Sequence, residues 1–99
     1  MKPDAHLLNT LRMYFREQPV RRAALFGSVA RGEARRDSDV DILVAFDDSV
    51  SLLDHARMQL ALSDLLGRKV DLVSEGGLSP RLRPFIEPDC VVVYEKEIP

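Results

Sequence analysis

Apolar side chains recur at helical spacing through residues 4–18, where Leu7, Leu8, Leu11, Tyr14 and Phe15 form one stripe and Pro19 closes the run. This spacing predicts an amphipathic first helix. Residues 23–26 are short and apolar and break at Gly27, the profile of a buried strand, and residues 28–31 are expected to form a short helix. A second strand is predicted over residues 39–46, then a turn at Asp47, Asp48 and Ser49. Leu53, Ala56, Leu60, Leu62, Leu65 and Leu66 fit the broad apolar stripe of a longer helix, with Ser51 to cap its start and Gly67 its end. Residues 69–73 read as a third strand, and Gly76 and Gly77 as a turn. Pro80 opens a short helix to about residue 86, and Pro88 breaks the chain before a last strand over residues 90–94. The predicted fold is α/β (α+β), a small mixed sheet of about four strands with packed helices. One domain is expected across residues 1–99, without repeats, linkers or low-complexity segments.

One stretch departs from this alternation of core and surface. Gly27 and Ser28 form a turn, ten residues intervene, and Asp39-Val40-Asp41 then opens an apolar strand. Strand side chains alternate, so Asp39 and Asp41 project from one face, close enough to share metal ions. Acids so placed repel unless a cation lies between them. Alone, the pair is also what a strand-opening turn with solvent-facing acids gives, and the Gly-Ser turn at fixed distance is what makes the arrangement specific. Asp37, just upstream, reads as a turn residue or cap.

Charge sharpens the picture. The segment before Asp37 carries eight Lys or Arg against three acids, and the remainder six against thirteen. Arg31, Arg35 and Arg36 stand between the turn and the aspartates, placed to meet phosphate oxygens or an acidic partner, or to form a solvated basic loop. No long basic tract carries interleaved aromatics, so nucleic acid is not the expected main ligand. No apolar run has the length of a membrane span, and the N-terminus lacks the order of a signal peptide. The single cysteine, Cys90, allows no internal disulfide, which suits the cytoplasm. Cys90 reads as a small hydrophobe, and His6 and His55 lack partners at zinc-ligand spacing, His55 being expected to decorate a helix.

The Gly27-Ser28 turn and the Asp39-Val40-Asp41 pair at this spacing resemble the DNA polymerase β-like nucleotidyltransferases. Ala30-Arg31-Gly32, Ser38, Val70-Asp71-Leu72-Val73 and Leu78-Ser79-Pro80-Arg81-Leu82-Arg83 are similar to the minimal nucleotidyltransferase (MNT) antitoxins paired with HEPN ribonuclease toxins, over roughly residues 25–95. The resemblance implies a magnesium-dependent protein adenylyltransferase. It would act as antitoxin of a type VII-like pair, moving AMP from ATP to a tyrosine of the HEPN toxin with release of pyrophosphate, in a hetero-oligomer with that toxin. It further implies that Gly27, Ser28 and Arg31 bind the nucleotide and that Asp39 and Asp41 bridge two Mg2+ ions about 4 Å apart. A third acid completes the implied set. Asp71 is the candidate, because a carboxylate in an otherwise apolar strand needs a partner such as a metal. Its alternative is the solvated face of a half-buried strand, and Asp54 and Asp64 are weaker rivals on a helix. Other readings stand beside the enzyme: an antitoxin that works by binding alone, the catalytic subunit of an aminoglycoside-type nucleotidyltransferase, and a DNA-binding autoregulator.

Overall fold

The computed structural model describes residues 5–32, 39–47, 50–77, 81 and 90–96. Their order is α1 (Ala5–Arg16), β1 (Val20–Phe26), α2 (Gly27–Arg31), β2 (Val40–Phe46), α3 (Leu52–Leu66), β3 (Val70–Ser74), a 3-10 turn (Glu75–Gly77) and β4 (Val91–Glu95). The strands form one mixed sheet in the order β3-β2-β1-β4. β1 pairs antiparallel with β2 and with β4, whereas β2 and β3 run parallel, joined through α3. The expected fold class is therefore the observed one.

A single apolar cluster lies between the sheet and the two long helices. Leu11 and Phe15 of α1 and Met58 and Leu62 of α3 meet Ala23 and Leu25 of β1, Val40, Ile42 and Val44 of β2, Val70 and Leu72 of β3 and Val93 of β4. Full burial of a side chain such as Phe15 or Leu62 stabilises the fold by roughly 1.5–3 kcal/mol. α3 starts and stops as its sequence directs. The Ser51 hydroxyl accepts from the Asp54 amide at 3.0 Å, and Gly67 ends the helix at φ 65°, a left-handed turn that glycine adopts without a Cβ penalty.

The stripe assigned to α3 needs correction. Met58 and Leu62 are buried, but Leu53, Leu60 and Leu65 are more than half exposed. At about 100° per residue, Leu53 and Leu60 lie nearly opposite Leu62, so no single face carries all six residues. β1 also begins at Val20 rather than residue 23, because Arg21 and Arg22 are exposed positions on a strand that the sequence disguises as polar. The helix expected from Pro80 to about residue 86 falls almost wholly outside the described residues, as do Arg35, Arg36, Asp37 and Ser38.

Inward-facing polar side chains of α3 bind β3. Ser63 Oγ accepts from the Val70 amide and Gln59 Oε1 from the Leu72 amide, each at 3.0 Å. His55 Nε2 lies 2.6 Å from the Leu72 carbonyl oxygen. A carbonyl only accepts, so Nε2 carries the proton. His55 also sets its ring edge-on to Phe46, with centroids 5.8 Å apart, and so holds strands to helix rather than decorating the surface.

Candidate active site

The sheet has a second face, and the motif residues gather at one end of it. Val40, Ile42 and Val44 point into the core, so the alternation of β2 turns Asp41, Leu43 and Ala45 the other way. Val70 and Leu72 do the same on β3, which puts Asp71 on the face of Asp41. The parallel register pairs Asp41 directly with Asp71. Neighbouring strands lie about 4.8 Å apart, so two acids of distant sequence are adjacent at one sheet end. Asp39 precedes β2 by one residue, and its carboxylate lies 3.8 Å from the Lys69 ammonium, the residue before β3. The pair is held by the backbone bond from the Val40 amide to the Lys69 carbonyl, 2.9 Å.

Gly27 sits where β1 ends and α2 begins, and Phe26 is the register partner of Asp41. Its φ of +73° lies in the region that residues with a Cβ rarely adopt. A Cβ placed here would also collide with Asp41 Oδ2 and come within 3.3 Å of Asp41 Cγ. The glycine of the motif therefore makes room for the aspartate of the motif. Ser28 and Arg31 are both backbone members of α2, the turn that leaves this point.

The sequence argued for Asp71 from burial, and burial is not the reason for its place. Asp71 is exposed, and the strand register puts it beside Asp41. Among the described residues no three Asp, Glu, His or Cys side chains already converge as a metal-holding group. What the fold supplies is the backbone alignment of Asp41 and Asp71, with Asp39 just upstream, a donor set of carboxylate oxygens suited to a hard cation. Asp54 and Asp64 lie on α3 and are exposed, away from this face.

The same face continues into a hollow of about 250 Å³ lined by Arg22, Ala24, Leu43, Glu75 and Cys90. Leu43 is two residues along β2 from Asp41, and Ala24 faces it from β1 in register. Arg22 and Glu75, 3.9 Å apart, close the far end. Sequence reasoning passed over both charged residues and Ala24. Ala24 carried no distinguishing signal, since its neighbour Ala23 is the same residue and faces the core.

A family of nucleotidyltransferase domains matches residues 8–93. The chain belongs to that family. Among its relatives, a protein adenylyltransferase named MntA from Thermococcus cleftensis is 43% identical over 74 residues, 75% of this chain and 75% of that protein. MJ0435 of Methanocaldococcus jannaschii, provisionally named a protein adenylyltransferase, is 42% identical over 74 residues, 75% of this chain and 80% of that protein. Among solved structures, one named provisionally as a minimal nucleotidyltransferase superposes with a TM-score of 0.73 at 50% identity, covering 88% of each chain. A toxin–antitoxin crystal structure with AMP-PNP gives a TM-score of 0.80 at 24% identity, over 91% of this chain and 74% of that one, a likeness of fold. The nucleotidyltransferase is thus an enzyme of the transferase class. No described helix is long and apolar enough to cross a membrane.

Proposed function

We propose that this nucleotidyltransferase is the antitoxin of a HEPN-type ribonuclease and silences it by transferring AMP from ATP to a tyrosine hydroxyl. The observation that carries the reading is the packing of Gly27 against Asp41 with Asp71 in register beside it, the motif turn and two of the motif acids on one face at one sheet end. Relatives named as protein adenylyltransferases and neighbours solved as toxin–antitoxin complexes support the acceptor class.

In the proposed reaction the tyrosine oxygen attacks the α-phosphorus of ATP, a phosphorus–oxygen bond forms, and the bond to the bridging oxygen of the β-phosphate breaks to release pyrophosphate. Ser28 and Arg31 hold the triphosphate, and Gly27 lets the chain approach it without a side chain in the way. Asp39, Asp41 and Asp71 would hold Mg2+, two ions in the full site, supplying positive charge where phosphate oxygens gain negative charge. Asp71, exposed and in register beside Asp41, would take the phenolic proton. Together the three carboxylates would bring the attacking oxygen, the phosphorus and the proton acceptor together.

Intact-protein mass spectrometry tests this directly. The proposed HEPN partner is incubated with ATP and magnesium and with either the wild-type chain or its Asp41→Asn or Asp39→Asn variant. An added adenylate with wild type, lost at least a thousandfold in each variant while both stay folded, is the expected result. Inhibition in a tight complex without added mass would replace the reading with neutralisation by binding. Unfolding of both variants would remove the assignment of these acids to chemistry, since removing one of several clustered acids relieves repulsion.

A further inference from the structure

The two edges of the sheet are treated differently by the rest of the fold. On β3 the outward groups of Val70 and Leu72 are taken by Ser63, Gln59 and His55, three side chains spaced one helical turn apart on α3. That edge is closed to another strand. On β4, the opposite edge, no described strand pairs with the outer side, where Arg12 Nε donates to the Val93 carbonyl at 3.2 Å. β4 reads Val91-Val92-Val93-Tyr94-Glu95, a run of strand-forming residues, and Val92 is 43% exposed. An exposed apolar edge of this kind is a template for a further strand.

A groove runs beside β4, between it and α1, lined by Arg12, Arg16, Val92, Tyr94, Glu95 and Lys96. Arg12 and Arg16 face one acid, Glu95, across it, while the Lys96 ammonium is paired with Asp47 at 3.0 Å. Arg16 stands in the last turn of α1, exposed and in no ion pair among the described residues. Charge argues against a second copy of this chain as the occupant, since each copy would bring two arginines and one acid to the contact. The backbone edge argues for a peptide rather than a nucleic acid, because its amides and carbonyls match those of an extended chain.

We infer that β4 is the docking edge of the nucleotidyltransferase, where an extended segment of the protein partner adds as a fifth strand and sets acidic side chains against Arg12 and Arg16. The inference rests on the proposed antitoxin role, for which it names the recognition surface. Main-chain bonds along β4 supply the contact, and the arginines select an acidic segment and fix its register. The docking edge lies on the far strand from Asp71, so the partner reaches the acids along or around the sheet from its β4 side.

Calorimetric titration of the HEPN protein into wild-type, Arg16→Glu and Val92→Glu chains tests this, with Leu60→Lys as a surface control and circular dichroism to verify folding. Both β4-side variants should weaken binding at least tenfold, Leu60→Lys should leave it within twofold, and amides 91–96 should exchange more slowly in the wild-type complex. Wild-type binding that neither variant weakens, or exchange unchanged at β4, overturns the docking edge while leaving the antitoxin role intact. Failure of the wild-type chain to bind the HEPN protein removes the antitoxin role, and the docking inference with it. Binding of a labelled single-stranded RNA that Arg16→Glu abolishes, with no protection of β4 by the HEPN protein, also overturns it.

Discussion

Replacing Gly27 by alanine separates two costs that the structure superimposes at one atom. The first is conformational, because a residue with a Cβ held at φ +73° loses about 1–2 kcal/mol. The second is steric, since the new Cβ would overlap Asp41 Oδ2 and crowd Asp41 Cγ at 3.3 Å. Asp41 must turn its carboxylate aside, away from its favoured rotamer, at roughly 0.5–1.5 kcal/mol. Gly27→Ala should therefore cost about 1.5–3.5 kcal/mol in all, and each kcal/mol corresponds to about 4–8 °C in Tm for a domain of this size. Asp41 Cβ lies 3.5 Å from the same point, ordinary contact, so Asp41→Ala removes the steric cost and leaves the conformational one. Urea denaturation of wild type, both single variants and the double variant closes the cycle. A coupling of about 1 kcal/mol is expected, with the glycine substitution milder when Asp41 is absent. Adenylyl transfer by Gly27→Ala should fall about a hundredfold if Asp41 has the metal-holding role proposed for it. An equal penalty in both backgrounds would refute the argument that this glycine exists to admit Asp41.

The faces of α3 make a paired prediction: Leu62→Ala should cost about 2–5 kcal/mol and Leu60→Ala less than about 0.5, measured by chemical denaturation. Gln59→Ala strips the Leu72 amide of its partner and should cost about 1–3 kcal/mol, with faster amide exchange at Leu72 and little change in β4. Burial raises the Tyr14 hydroxyl above its ordinary value of 10.0, so in a Tyr94→Phe variant the phenol should ionise above pH 10. The folded state keeps that proton longer than the unfolded chain, so this contribution to stability is complete below pH 10 and declines as pH rises through the folded value. Ionisation at or below pH 10 would contradict the burial.

Much of this fold is written in local patterns. Helical spacing gave α1, the Ser51 and Gly67 signals bounded α3 within a residue, and the apolar runs located all four strands. The patterns failed where tertiary partners decide. Leu53 and Leu60 are as apolar as Leu62, and only the position of the sheet determines which of them is buried. His55, Gln59 and Ser63 look like ordinary polar helix residues, because the backbone groups they satisfy belong to a strand that has yet to arrive in the chain. The spacing of Gly27, Ser28, Asp39 and Asp41 was legible without a structure. The match of Asp41 to Asp71 was not, since parallel register is set through a crossover whose length says nothing of which residues align.

That crossover also orders the events of folding. Asp41 and Asp71 become neighbours only when residues 47–69 have closed β3 onto β2, a longer-range contact than the β1–β2 pair requires. Their repulsion is absent from the unfolded chain and enters at that closure. β3 is an edge strand of five residues, fastened on one side by β2 and on the other by three α3 side chains. Local opening of the α3–β3 unit therefore separates the two acids while β1, β2 and β4 stay paired, so the alignment of Asp41 with Asp71 lasts only as long as one edge strand stays docked.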